Sequence, residues 1–145
     1  MKRIELVRRK SLMEAGISNA VLVKLAQDND YFKNRQGDTA FYLPNDAFMA
    51  FISAELGKFL PWRHVDATLN CIEKDHRNLY RLVKQNPDQF LVIEQGPDGV
   101  VVFPTLVETL RVWDWDAHKG LVMIHLGRII RKVETMFDNE GLQTP

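Results

Sequence analysis

Two short runs of β-branched and aromatic residues, Phe90 to Glu94 and Val100 to Phe103, face each other across Gly96-Pro97-Asp98-Gly99. Glycine and proline at that density end regular structure, and between two β-rich runs they form a turn, so the stretch predicts an antiparallel hairpin. What precedes the hairpin limits the fold further. Pro61 sits where a helix tolerates proline, and Trp62, Val65, Leu69 and Ile72 follow at helical spacing. A second pattern opens at Asp75 and closes at Pro87, with Leu79, Leu82 and Val83 on one side. Only residues 73–75 separate the two patterns, and a link that short forces a sharp corner. Residues 58–104 therefore predict helix, turn, helix and hairpin, with Leu69, Ile72, Leu79, Leu82, Val83, Phe90 and Val102 in one core.

In this order of elements the stretch resembles the winged-helix superfamily, at the level of architecture. The resemblance implies a winged-helix-like core over 44–104, a helical N-terminal extension over 1–43 and C-terminal helices over 105–145. The expected fold class is mainly α with a small β-hairpin, in a single domain spanning 1–145. It also implies a binder of double-stranded DNA, a transcriptional regulator or replication accessory factor, working through the helix of residues 75–86.

The other segments support a helical body. Residues 2–15 favour helix, Gly16 suits the position just past its end, and Ser18 suits the N-cap of a second helix carrying Val21, Leu22 and Leu25. That helix stops in Gln27-Asp28-Asn29-Asp30. Tyr31 to Leu43 is irregular, with a short strand expected at Thr39 to Leu43. Pro44-Asn45 starts a helix that buries Phe48, Phe51, Ile52 and Leu56. Beyond Pro104, a short helix is expected from Thr105 to Val112, then a break at Trp113-Asp114-Trp115-Asp116, then a long helix from Ala117 to Phe137.

Charge is even overall, 19 basic against 19 acidic side chains, but unevenly placed. Residues 58–86 carry a net charge of +3, and residues 87–115 carry −4. On the predicted 75–86 helix and its approach, Lys74, Arg77, Arg81 and Lys84 form a basic stripe edged by Asn78 and Gln85. Arginine can pair with guanine and phosphate, and asparagine or glutamine with adenine, so these six are the candidate DNA-binding residues. A solvated helix face is the plainer account of the same stripe. The hairpin carries Glu94 and Asp98 and no cation, which argues against its lying along a phosphate backbone. Its two apolar faces, Phe90 with Val92 and Leu91 with Ile93, both need cover, and intramolecular packing is the expected source.

No catalytic residue, metal ligand or cofactor is predicted. His64, Asp66, Cys71, Asp75 and His76 lack any zinc-type spacing, and Gly96-Pro97-Asp98-Gly99 lacks the helix and lysine of a phosphate loop. The reading is of a non-enzyme, in the cytoplasm, as a lone Cys71, no signal-peptide pattern and no membrane-length apolar run suggest. The competing reading is a protein–protein adaptor or assembly subunit without DNA binding. In the long C-terminal helix Val122, Leu126, Ile129, Val133 and Met136 step as a paired-helix seam would, which predicts a homodimer through those residues.

Overall fold

The computed structural model describes residues 6–33, 41–96, 99–106, 121–142 and 144. It is mainly helical, with two small antiparallel sheets. Strand β1 (Val7–Arg8) leads into helix α1 (Arg9–Glu14), followed by α2 (Asn19–Asp28) and the single turn α3 (Asp30–Lys33). Strand β2 (Phe41–Tyr42) then feeds α4 (Pro44–Leu56), α5 (Trp62–Asp75) and α6 (Leu79–Gln85). Strands β3 (Gln89–Gly96), β4 (Gly99–Leu106) and β5 (Leu121–His125) precede α7 (Leu126–Asn139).

The start of the chain differs from the expected helix over 2–15. Val7 and Arg8 are extended, pairing with Tyr42 and Phe41, because both Val7 and Tyr42 reach the core from a strand. Residues 1–5 lie outside the described residues. Helix α1 closes in a Schellman motif: Gly16 N–H donates to the Met13 carbonyl at 3.1 Å and Ile17 N–H to the Leu12 carbonyl at 3.0 Å. Gly16 has φ +108°, a conformation that a side chain would strain. Ile17 and Leu12, the apolar pair that accompanies this motif, are both buried. Ser18 Oγ accepts from Val21 N–H at 3.2 Å, so the N-cap of α2 lies where the sequence puts it.

Helix α2 ends at Asn29, a fully buried amide. Its Oδ1 accepts from Tyr31 N–H, opening α3, while its Nδ2 donates to Asp66 Oδ1 at 2.9 Å on α5. A buried amide satisfied on both sides fixes the corner and ties it to the helix body. Helix α4 is the centre of that body, buried from Ala47 through Ser53. Asp46 in its first turn accepts from Leu43 N–H at 2.7 Å, satisfying a donor that the helix start would otherwise orphan.

The hairpin forms as expected, with Gln89 opposite Leu106 and Gly96 opposite Gly99. Thr105 and Leu106 belong to β4 rather than to a helix; the rest of that predicted helix, to Val112, lies outside the described residues, as do Trp113, Trp115 and Ala117. The larger departure is β5. The expected helix from Ala117 is a strand at Leu121 to His125, which pairs with the other edge of β3 and gives the order β4-β3-β5. An apolar run as short as Leu121-Val122-Met123-Ile124 fits either structure by periodicity, and pairing with β3 decides it. Leu91, Ile93 and Ile124 point into the main core, and Val92 on the opposite face is buried as well. Phe90, expected in the core, is half-buried and meets His125 edge-on at 4.9 Å. The packing of Val102 lies outside what the structure describes.

Helix α7 begins only at Leu126, with His125 Nδ1 accepting from Arg128 N–H at 3.1 Å as its N-cap. Of the predicted partner seam, Val122 is therefore on a strand, and Leu126, Ile129, Val133 and Met136 are buried in the chain's own core. Gly127 makes its close approach to the carbonyl of Pro87, in the turn between α6 and β3.

Candidate nucleic-acid interface

The corner between α5 and α6 is three residues, His76, Arg77 and Asn78. Helix α5 runs through Asp75 and stops where His76 N–H donates to the Ile72 carbonyl at 2.8 Å. Helix α6 thus starts four residues later than the sequence suggested, and its inward face changes. Leu79, Tyr80 and Val83 are buried, while Leu82 is 44% exposed. At about 100° per residue Leu82 lies about 110° from the middle of that buried face. The place expected for Leu82 is taken by Tyr80, whose ring packs edge-on against Phe48 at 5.5 Å.

The six predicted contact residues are consequently not one helical stripe. Lys74 sits on α5, Arg77 and Asn78 form the corner, and Arg81, Lys84 and Gln85 belong to α6. Five of them nevertheless converge: Arg77, Asn78, Arg81, Lys84 and Gln85 border an open depression of about 440 Å³. Lys74 is exposed but does not line it. Asn45, from the first turn of α4, and Tyr80 complete the wall, and sequence periodicity pointed to neither. Asn45 comes from an element remote in sequence, and Tyr80 was hidden by a helix assumed to start too early.

The three cations around the depression are not equivalent. Arg77 Nε donates to the Glu73 carbonyl at 3.0 Å and lies 3.4 Å from the Glu73 carboxylate, an exposed pair of small energetic weight. Lys84 is held inward, 3.7 Å from Glu134 on α7 and donating to Thr144 Oγ1 at 3.2 Å. Its role is to clamp α6 onto α7. Arg81 is exposed and has no ion pair or hydrogen bond among the described residues. The Tyr80 hydroxyl beneath them is shut off from solvent and lacks a hydrogen bond of full geometry. Burial pushes its pKa up to about 12, the Thr144 hydroxyl pulling slightly down and the Glu134 carboxylate pushing up.

Other polar groups have structural duties. Asp66 is taken up by Asn29 and Asn70. Burial pushes the Cys71 thiol up, with Asp75 adding to the shift, which is the wrong direction for a nucleophilic thiolate. Among the described residues, no three His, Cys, Asp or Glu side chains gather closely enough to hold a metal ion. No described helix is long and apolar enough to cross a membrane. Comparison of the sequence with protein-family models finds no match, and comparison with curated proteins finds none either.

Proposed function

We propose that this chain is a cytoplasmic protein that binds duplex DNA, as a transcriptional regulator or replication accessory factor, and that its 44–104 region is a winged-helix variant. The observation that supports this is the convergence of Arg77, Asn78, Arg81 and Gln85 with Asn45 on one open depression. Guanidinium and amide groups are the side chains that grip phosphates and base edges. Arg81, without a partner among the described residues, is the strongest candidate for a phosphate contact, and Lys84 supports the site from behind. The hairpin takes little part: its described strands carry Glu94 and no lysine or arginine.

Binding to a random duplex, followed by fluorescence anisotropy between about 50 and 200 mM salt, tests the reading. Arg81→Ala is expected to make the slope of log K against log salt shallower by about 0.9, the share of one phosphate, without lowering thermal stability. A slope indifferent to Arg81 refutes the placement of the site.

A second reading, of an adaptor that engages another protein or a second copy of the chain, draws on a different surface. Phe59 is 67% exposed and Met123 40% exposed, and both border a depression of about 220 Å³ together with Ile124 and His125. Exposed large apolar side chains sharing a concavity are typical of contact surfaces. Because the Val122 to Met136 seam is used inside the chain, a homodimer in this reading would use the Phe59 surface instead.

A further inference from the structure

We infer that the Phe59 depression and the arginines beside it form one groove that docks an acidic peptide segment of another protein. An apolar anchor side chain enters between Phe59 and Met123, and carboxylates flanking it reach Arg128 and Arg131. The inference names the partner chemistry for the adaptor reading above and rests on that reading.

Phe59 lies in the turn that closes α4. Its N–H donates to the Leu56 carbonyl at 3.0 Å and Leu60 N–H to the same carbonyl at 2.8 Å, while the Leu60 side chain takes the buried place. The turn therefore holds Phe59 outward, and at 67% it is the most exposed large apolar side chain among the described residues. Across the depression Met123 points out of β5, because side chains alternate along a strand and its neighbour Ile124 is buried. A ring fixed in one place and a thioether that adapts to its partner make an anchor site with little left to order on binding. At about 220 Å³ the depression is smaller than the roughly 300–1,000 Å³ of small-molecule pockets, and suits one large side chain better than a whole ligand.

Arg128 and Lys132 border both this depression and a larger cleft of about 580 Å³ beside α1, which Arg131 also lines, so the two adjoin. Lys132 is already taken: it lies 3.2 Å from Glu55 Oε1, which Lys58 also reaches at 3.2 Å, and Glu55 is neutralised by the two. Arg128 and Arg131 have no ion pair or side-chain hydrogen bond among the described residues. Neither arginine serves the helix that carries it. Spacings of three and four set Arg131 and Lys132 beside Arg128 as like charges, and Arg128 stands in the first turn of α7, where the helix dipole disfavours a cation. A carboxylate brought from outside relieves both conflicts.

Composition selects among anionic occupants. Aromatic residues, Met and Arg are the types enriched at protein interfaces, and Phe59, Met123, Arg128 and Arg131 are of those types. A nucleic-acid strand fits less well, because its charges repeat at close spacing and would run on toward Glu140, about 18 Å further along α7 and also on the border of the cleft. A short acidic segment meets the arginines and stops.

The test uses the full chain and short synthetic peptides whose central residue is Trp, Phe, Leu or Ala and whose flanks are acidic, neutral or basic, with binding followed by fluorescence anisotropy. Peptides with a large apolar centre and acidic flanks should bind best, and neutral flanks should cost about tenfold. Phe59→Ala should weaken the best peptide by about tenfold or more. Arg128→Ala and Arg131→Ala should each weaken it by about three- to tenfold and reduce its sensitivity to salt. Arg81→Ala should leave peptide affinity within about twofold, which separates this groove from the corner site. Thermal unfolding should hold in all these variants and rise slightly in Arg128→Ala, where a cation leaves the first turn of a helix. The inference is overturned if acidic flanks bring no gain, or if the best peptide is indifferent to Phe59 and to both arginines. It is overturned too if AMP binds at the arginines more tightly than any peptide, or if the chain self-associates and Phe59→Ala abolishes it, since the groove then takes a small phosphate ligand or a second copy. No binding of any peptide by a chain that stays monomeric overturns the adaptor reading as well, and leaves duplex binding at the corner site untouched.

Discussion

Replacing Gly127 by alanine tests how tightly the C-terminal helix is seated. A Cβ built at Gly127 falls 2.2 Å from the Pro87 carbonyl oxygen, 3.1 Å from its carbon and 2.8 Å from His125 Cε1. Relieving the first contact requires about 1 Å of movement, since unbonded carbon atoms settle near 3.5 to 4.0 Å. Rotating the imidazole would break its N-cap bond to Arg128 N–H, and the Pro87 carbonyl is backbone at the junction of α6 and β3, where a packed interior yields little. Overpacking of this kind costs about 1–3 kcal/mol, and a backbone obstacle places the cost toward the upper end. Against it stands the helix preference for alanine, at most about 1 kcal/mol in a helix interior and less here, because Gly127 is the second residue of α7. The net expectation is a loss of about 1–2 kcal/mol. Urea unfolding followed by circular dichroism should show a lower midpoint at unchanged m, and Tm should fall by roughly 2–8 °C for a chain of this size. Pro87→Ala in the same chain should not restore the loss, because the obstructing carbonyl remains. A Gly127→Ala protein as stable as the parent, or more so, would refute the close-approach argument.

Leu79→Ala should cost about 2–5 kcal/mol, whereas Leu82→Ala should cost under about 0.5, and equal losses in urea unfolding would mean that α6 is rotated from the position described. Tyr80→Phe removes a buried hydroxyl without a full partner, so stability near pH 7 should stay within about 1 kcal/mol of the parent or rise. The raised pKa of Tyr80 means that the folded state keeps its proton longer; its contribution is intact below about pH 10 and is lost as pH climbs toward about 12. The alkaline fall in stability should therefore flatten in Tyr80→Phe. Partial burial pushes the Glu55 carboxyl up, but hydrogen bonds from Lys58 and Lys132 outweigh it and hold the pKa below the usual value. That contribution is present above the unfolded carboxylate pKa and lost as pH falls through the folded one, so Glu55→Gln should flatten the acid limb of a stability profile.

What the sequence made legible was local chemistry. Gly16, Ser18, Pro44 and Pro61 each sit where their backbone preferences put them, and the strands on either side of Gly96 and Gly99 pair as the hairpin requires. The boundary between α5 and α6 did not, because Asp75, His76 and Arg77 contain no glycine or proline to mark the stop. That one shift moved Lys74 onto another helix, exposed Leu82 and buried Tyr80. Strand β5 was missed for a different reason: its apolar run is four residues long, and only its neighbour β3, about thirty residues away, makes it a strand. The candidate interface divides the same way. Arg77, Asn78, Arg81 and Gln85 were visible as residue types, while Asn45 joins them through tertiary packing alone.

The position of β3 between β4 and β5 has a consequence for the order in which the molecule can be made. Emerging from the ribosome, the hairpin strands appear within a few residues of each other and can pair early, as local contacts do. The second edge of β3 has no partner until residues 121–125 follow. During that interval Leu91 and Ile93 have an incomplete core and an open strand edge, a state prone to pairing with other chains. The absence of charge opposite Leu91 and Ile93 makes the interval more hazardous. A nascent chain stalled before Leu121 should thus recruit chaperones or aggregate, and the C-terminal segment acts as the closing piece of the whole fold.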